Sequence, residues 1–223
     1  GVGLGCHAAA RVVCESSRIA MPEVAIGLVP DVGGTHLLAR APGHMGEYLA
    51  ATAARMGPGD AIHAGFADTY IPREFWLDTL ARLETTGDLS ILDDMAEAPP
   101  PGPLAAHQAE IDRLFAGPPA GIAAALEAED SDFAGGALEA LRRASPLAVA
   151  CGIANIRAVR DHGTIRAALT REYRFTWRAA EKGDFLEGIR AAIIDKDKSP
   201  RWRHDRLEDV TADEVAEMLA PLG

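Results

Sequence analysis

The segment 21–34 constrains the fold of this chain most, because prolines and glycines fix where its backbone turns. Pro22 and Pro30 restrict φ and carry no amide hydrogen, so the chain turns at both positions. Glycine tolerates positive φ and close backbone contacts, and the glycines of the segment are Gly27, Gly33 and Gly34. We therefore expect a kinked, rigid segment rather than one continuous helix or strand.

Two carboxylates, Glu23 and Asp31, lie in this otherwise apolar segment and are its candidate catalytic residues. The apolar residues between them would line a dry pocket, and burial raises the pKa of a carboxylic acid. Two acids on one water-poor segment suit acid–base or nucleophilic chemistry. The alternative is structural: Glu23 would cap a short helix after Pro22, and Asp31 would cap the helix that begins at Val32. The spacing leaves both interpretations open.

The composition bounds the class of protein. The chain has 223 residues, of which 48% are hydrophobic, and this indicates a globular fold. Its formal net charge of −11 argues against non-specific nucleic-acid binding. No apolar run approaches the ~20 residues that a membrane helix needs. We therefore expect neither a nucleic-acid partner nor a membrane partner.

The three cysteines are an odd number and lie in mostly apolar surroundings, at Cys6, Cys14 and Cys151. This usage predicts reduced, buried thiols in a reducing compartment rather than a disulfide framework. No cysteine or histidine pair has the spacing of metal ligands. We therefore expect no metal site.

A stiff, proline-rich connector at 98–103 divides the chain. Before it, short strands alternate with helices, and the strands are predicted at 11–14, 18–20 and 68–71. The small residues 1–10 predict a closely packed, buried helix, and 104–223 shows only helical patterns. So few strands cannot form a closed sheet. We therefore expect partner strands upstream of Gly1 or on a second polypeptide, so that the chain begins in the middle of a domain.

Two motifs resemble one family. Residues 22–34 read PEVAIGLVPDVGG, and residues 195–202 read DKDKSPRW. The first motif resembles the crotonase (enoyl-CoA hydratase/isomerase) superfamily, and the second resembles its 3-hydroxyisobutyryl-CoA hydrolase branch. The resemblance implies an α/β fold in which 1–97 is the C-terminal part of a crotonase-like spiral of ββα turns. After the connector, 104–223 would be a helical C-terminal region.

The resemblance also implies a chemistry. Members of the family bind an acyl-CoA thioester and hold its oxygen in an oxyanion hole of two backbone amides, which stabilise the charge that develops there. Gly1 matches the last glycine of the family's GGG run, so both amide donors would lie upstream of this chain. Glu23 matches the acid–base carboxylate of the family, and Asp31 matches the second acid of the hydrolase branch.

Gly3 separates the possible activities. Hydratases of the family carry a glutamate at this position, and hydration uses two carboxylates on one water. The resemblance therefore implies a thioester hydrolase, acting on 3-hydroxyisobutyryl-CoA in valine catabolism. Glu23 would be its nucleophile or general base, and Asp31 its second acid. The alternatives are an enoyl-CoA hydratase or isomerase, and a noncatalytic interaction subunit with the crotonase fold.

Other residues are candidates for substrate binding by the same resemblance. Those near the acyl group would be Gly1, Ile26, Gly27, Gly33 and Gly34. Basic side chains suit phosphate oxygens, and the candidates for the phosphates of CoA are Lys196, Lys198 and Arg201. These three residues fit a solvated helix end equally well.

The remaining expectations concern partners and location. We expect no cofactor, because CoA is part of the substrate. The resemblance implies an acyl-CoA substrate, an N-terminal half from upstream or from a second polypeptide, and a possible homo-oligomer. It places the protein in the cytoplasm of a bacterium or in the mitochondrial matrix of a eukaryote.

Overall fold

The computed structural model describes residues 1–160 and 163–222, which are mostly helical. The elements before the connector are α1 Val2–Gly5, β1 Val12–Val13, α2 Gly34–Arg40, α3 Met45–Thr52, α4 Pro58–His63, β2 Thr69–Tyr70, α5 Trp76–Thr86 and α6 Ile91–Asp94. Those after it are α7 Gln108–Phe115, α8 Pro119–Glu127, α9 Asp132–Arg143, α10 Pro146–Arg160, α11 Ile165–Lys182, α12 Phe185–Ile189 and α13 Ala212–Leu219. Short 3₁₀ turns occur at Glu23–Ile26, Arg73–Phe75 and Leu207–Asp209, and a π turn occurs at Arg190–Ile194.

In the described part of the chain, one small sheet joins the two strands. β1 and β2 are parallel, with Val12 opposite Thr69 and Val13 opposite Tyr70. The connection between them contains the segment 21–34 and the helices α2 to α4, so the candidate acids lie on a crossover between neighbouring strands. None of the described helices is both long enough and apolar enough to cross a lipid bilayer.

Helix α10 forms the centre of the core. It packs against α2, α3, α11 and α13, and residues on all its faces are buried. The sequence explains this position, because its first eleven residues contain only small and apolar side chains apart from Asn155. The helix starts after Ser145, whose hydroxyl accepts a 3.2 Å hydrogen bond from the amide of Ala148.

Two predicted elements are wrong. Residues 1–10 do not form a buried helix: α1 has only one turn, and the Leu4 side chain is 84% exposed. Glycine is a poor helix former, and the glycines within this stretch limit the helix to that turn. The strand expected at 18–20 is a single bridge between Ile19 and Met56. All three cysteines are free and buried, as predicted.

The connector 98–103 has neither helix nor strand. It is anchored at its end by Asp60 of α4, whose carboxylate accepts a 2.9 Å hydrogen bond from the amide of Leu104. One hydrophobic cluster contains residues from both sides of the connector, for example Leu49 and Ile153. The division of the chain at this connector stays a prediction.

A buried carboxylate, that of Glu47, links α3 to the last turn of α10. Arg157 extends this contact to the end of α7. Glu47 of α3 is fully buried and accepts two hydrogen bonds from Arg160, at 2.9 and 2.6 Å. It also accepts bonds from Arg157 at 3.3 Å and His44 at 3.0 Å. Arg157 in turn donates a 2.8 Å bond to the carbonyl of Phe115, at the end of α7. The charge of Glu47 is therefore compensated by cations from a different part of the sequence.

Candidate active site

The turn that carries Glu23 is shaped by its prolines and glycines. Pro22 precedes the 3₁₀ turn Glu23–Ile26, and Gly27 ends it with φ of 75°. Gly27 lies against the backbone of Asp184 with no space for a Cβ, and Gly188 lies equally close to the carbonyl of Ile26. A side chain at either glycine would therefore displace the turn.

Asp184 supports the Glu23 turn through a chain of hydrogen bonds. Its buried carboxylate accepts a 2.6 Å bond from the Ser145 hydroxyl and a 2.9 Å bond from the amide of Arg203. The amide of Ser145 donates a 3.0 Å bond to the carbonyl of Val24, inside the turn. The position of Glu23 is therefore set by α10 and by the segments that flank α12.

The Glu23 carboxyl is half-buried, and its Oε2 atom is buried without a hydrogen-bond partner. Burial is the main cause that raises the pKa of Glu23 to about 7, and the negative charges of Asp31 and Glu172 raise it further. An interaction with its own backbone lowers the pKa in part. Near neutral pH this group can both accept and release a proton.

Asp31 lies after Pro30 at the start of a tight turn. Val32 and Gly33 both have left-handed backbones, with φ of 55° and 78°, and the amide of Gly34 donates a 2.8 Å bond to the Asp31 carbonyl. Burial raises the pKa of the half-buried Asp31 carboxyl. The coupling between the charges of Glu23, Asp31 and Glu172 indicates that these three carboxyls share one region.

The interpretation of Asp31 as a helix cap is wrong, because another residue has that role. The N-cap position of α2 is Gly33, which has no side chain to accept a bond. The buried Glu172 of α11 accepts instead, from the amides of Gly33 and Thr35 at 2.9 Å each. Sequence reasoning did not identify Glu172 as a site residue, since it lies 139 positions from Gly33 and no local pattern links them.

Of the predicted substrate-binding residues, Ile26 and Gly27 end the Glu23 turn. Gly33 and Gly34 lie in the turn after Asp31, and their amides are already bonded. The Gly33 amide donates to Glu172, and the Gly34 amide donates to Asp31. Gly27 is buried and Ile26 is half-buried beside Glu23, while Gly1 is exposed. Any contact of the two bonded amides with an acyl-CoA would need a rearrangement of the turn. The role of these residues in substrate binding stays a prediction.

The space beside Gly3 is occupied. A Cβ at this position would lie 2.7 Å from the Cβ of Val32. A glutamate at position 3 would therefore require Val32 to move, and Val32 belongs to the left-handed turn after Asp31. This arrangement leaves Glu23 and Asp31 without a further carboxylate from α1.

The basic residues of the C-terminal motif lie on an exposed loop that Arg190 organises. The Arg190 guanidinium bonds to Asp195 and Asp197 at 2.6 Å each, and to Glu187 at 2.7 Å. Glu187 also accepts a 2.7 Å bond from the Arg201 amide, and Arg190 is the main cause that lowers the pKa of Glu187 to about 2. The side chains proposed for CoA phosphates, those of Lys196, Lys198 and Arg201, are exposed. Their function stays a prediction.

Within 1–160 and 163–222, no three His, Cys, Asp or Glu side chains form a group that could hold a metal ion.

The pKa of Glu23 predicts a pH-dependent stability. Its raised value means that the folded state binds this proton more tightly than the unfolded state, for which the ordinary pKa is 4.5. The resulting stabilisation is complete below pH 4.5 and is lost as the pH rises through about 7. Between pH 4.5 and about 7, we expect the free energy of unfolding of the wild type to fall by up to about 3 kcal/mol relative to that of Glu23→Gln. Urea unfolding of both proteins from pH 4 to 8 measures it, and a difference that does not change with pH contradicts it.

The comparisons with known proteins agree with this fold. The sequence profile of the family described as Enoyl-CoA hydratase/isomerase matches residues 1–219. The chain is 60% identical to the crystal structure of an enoyl-CoA hydratase from Rhodobacter sphaeroides 2.4.1, with a TM-score of 0.95 over 99% of this chain and 64% of that one. It is 37% identical to a carnitinyl-CoA dehydratase from Mycobacterium thermoresistibile, with a TM-score of 0.92 and the same coverage.

Curated relatives carry a different name. The chain is 36% identical to "Probable 3-hydroxyisobutyryl-CoA hydrolase 2" of Arabidopsis thaliana, over 95% of this chain and 60% of the relative. It is 35% identical to the mitochondrial 3-hydroxyisobutyryl-CoA hydrolase of Gallus gallus, over 100% of this chain and 61% of the relative. The chain thus spans about three fifths of the length of these relatives.

These findings establish the fold class and the family of the chain. The helical chain with its short parallel strands has the fold of crotonase-type structures, as the resemblance implied. The chain belongs to the enoyl-CoA hydratase/isomerase family.

Proposed function

We propose that the protein containing this chain hydrolyses an acyl-CoA thioester, and that 3-hydroxyisobutyryl-CoA is its substrate. The observation that carries the proposal is the Glu23 carboxyl: half-buried, unpartnered at Oε2, and close to neutral pH in its pKa. Such a group suits a general base or nucleophile at neutral pH. The names of the curated relatives support the choice of acyl group, and this would place the reaction in valine catabolism.

Two chemical routes start from Glu23. As a nucleophile, its carboxylate attacks the thioester carbonyl, the C–S bond breaks, and water hydrolyses the resulting anhydride. As a general base, it takes a proton from water while the water oxygen attacks the carbonyl and the CoA thiolate leaves. In both routes Asp31 would place the water or donate a proton to the departing sulfur. The products are the free acid and CoA.

Both routes need donors for the oxygen of the tetrahedral intermediate. By family resemblance, these amides belong to a segment upstream of Gly1, and the curated relatives are longer than this chain. The proposal therefore concerns the full-length protein. It includes CoA phosphate binding by Lys196, Lys198 and Arg201, catalysis without a cofactor, and a homo-oligomer, which crotonase-type proteins often form. The compartment would be the mitochondrial matrix in a eukaryote, as for the mitochondrial relatives, and the cytoplasm in a bacterium.

Gly3 favours hydrolysis over hydration. Hydration by this family would use a carboxylate at position 3, and Val32 occupies the space beside Gly3. The names of the solved relatives nevertheless make hydratase activity the competing outcome. A direct comparison of the two reactions decides between them.

The experiment compares the two reactions with one preparation of the full-length protein. Hydrolysis of 3-hydroxyisobutyryl-CoA is followed by the release of free thiol, and hydration of crotonyl-CoA by the loss of the conjugated double bond. We expect hydrolysis to have the larger kcat/KM by at least about a hundredfold, because one of the two hydration carboxylates is absent. Faster hydration would overturn the proposal, and the absence of both reactions would favour a noncatalytic subunit.

A further inference from the structure

Glu172 occupies an unusual place for a charged residue. It lies on the buried face of α11, in line with Ala168, Phe175 and Ala179, and its side chain is almost completely enclosed. Burying a carboxylate is costly unless hydrogen bonds compensate for the lost water. Helix packing alone would be served better by an apolar residue at this position. The contacts of the carboxylate must therefore account for its presence.

Those contacts converge on the turn after Asp31. Oε2 of Glu172 accepts a 2.9 Å bond from the Gly33 amide, and Oε1 accepts a 2.9 Å bond from the Thr35 amide. Both oxygens therefore accept bonds from amides in the first turn of α2. No N-cap side chain is available to accept from these amides, because the N-cap residue is Gly33. One carboxylate fixes both amides with a bidentate geometry.

The turn that Glu172 holds is strained. Val32 has a left-handed backbone with φ of 55°, which is unfavourable for a β-branched residue. Its side chain is 57% exposed, so its contact with Gly3 leaves most of it unpacked. Strain of this kind persists where surrounding contacts impose it, and it is concentrated at functional sites. The bond that Glu172 accepts from the amide of the next residue, Gly33, provides such a constraint. Asp31 lies directly before the strained residue.

We infer that Glu172 is a positioning residue: from α11 it holds the 31–35 turn, and with it Asp31, in the arrangement that the proposed active site requires. This inference rests on the proposed function. Glu172 acts through the backbone and needs no contact with the substrate. Its negative charge also contributes to the raised pKa of Glu23, after burial and together with the charge of Asp31.

The test replaces Glu172 by glutamine in the full-length protein. The amide keeps the shape of the side chain, but its NH₂ group cannot accept a bond, so one of the two anchors is lost. We expect kcat for 3-hydroxyisobutyryl-CoA hydrolysis to fall about tenfold, because small displacements of catalytic groups lower the rate of the chemical step. KM should change little. The acid limb of the pH profile should move to lower pH, since a negative charge beside Glu23 is removed.

Glu181→Gln is the matched control, because Glu181 lies exposed on the same helix. It should change neither kcat nor the pH profile. A folded Glu172→Gln protein with unchanged kcat and acid limb would overturn the inference. So would a lower kcat accompanied by lower thermal stability and an unmoved acid limb, since that result describes a structural role only.

Hydrogen exchange on the wild type tests the same contact without a variant. We expect the Gly33 and Thr35 amides to exchange slowly although they lie in the first turn of a helix. Fast exchange at both amides would overturn the inference even if the glutamine variant does not fold. A wild type without hydrolase activity would instead overturn the proposed function, which is a different result from an active wild type that Glu172→Gln leaves unaffected.

Discussion

Glu23→Gln in the full-length protein is expected to lower kcat for 3-hydroxyisobutyryl-CoA hydrolysis by about a thousandfold, within the range for the loss of a general base. The glutamine amide can neither take a proton from water nor attack the thioester. KM should change by much less, because the side chain acts on the reaction rather than on the recognition of CoA. Steady-state kinetics of thiol release, between pH 6 and 9, measures both quantities.

The control is Glu84→Gln, which changes the same functional group at an exposed position of α5. Its kcat should equal that of the wild type. Near-full hydrolysis by Glu23→Gln would end the proposal that Glu23 carries the chemistry. Because the substitution also removes a half-buried ionisable group with a raised pKa, the variant should be at least as stable as the wild type at pH 8. A loss of activity cannot then be attributed to unfolding.

Glu47→Ala is expected to lower the free energy of unfolding by about 3 kcal/mol, because it removes a fully buried carboxylate that pairs with two half-buried arginines. Arg160, which is bonded twice to Glu47, would keep its charge without compensation, and Arg157 would lose one of its acceptors. The space left by the side chain would also open between α3 and α10. Urea unfolding curves of the wild type and the variant provide the free energies.

The matched control is Glu139→Ala, which removes a carboxylate from an exposed pair with Arg143 on α9. Exposed pairs of this kind contribute within about 0.5 kcal/mol. If the loss in Glu47→Ala is no greater than in Glu139→Ala, the network around Glu47 does not hold α3 against α10. Glu47→Gln separates the two causes, since it keeps the volume of the side chain and removes only its charge.

Much of the local structure could be predicted because its causes are local. Thr164 and Thr211 cap their helices, and Thr211 forms the full capping box with Glu214. Each contact joins residues at most three positions apart, so the pattern of side chains is sufficient to identify it. Residues 1–10 show the limit of such reasoning, since their small apolar side chains suggested burial but the helix is exposed at Leu4.

The prolines, glycines and acids of 21–34 already define a kinked segment with two candidate catalytic groups in the sequence. The surroundings of these groups depend on distant parts of the chain. Ser145 and Asp184 support the Glu23 turn, and Glu172 accepts hydrogen bonds from the turn after Asp31. The pKa of Glu23 also belongs to the folded chain, because burial and the neighbouring charges set it. Backbone turns and helix caps follow from near neighbours, whereas burial and charge coupling arise only when segments more than a hundred residues apart pack together.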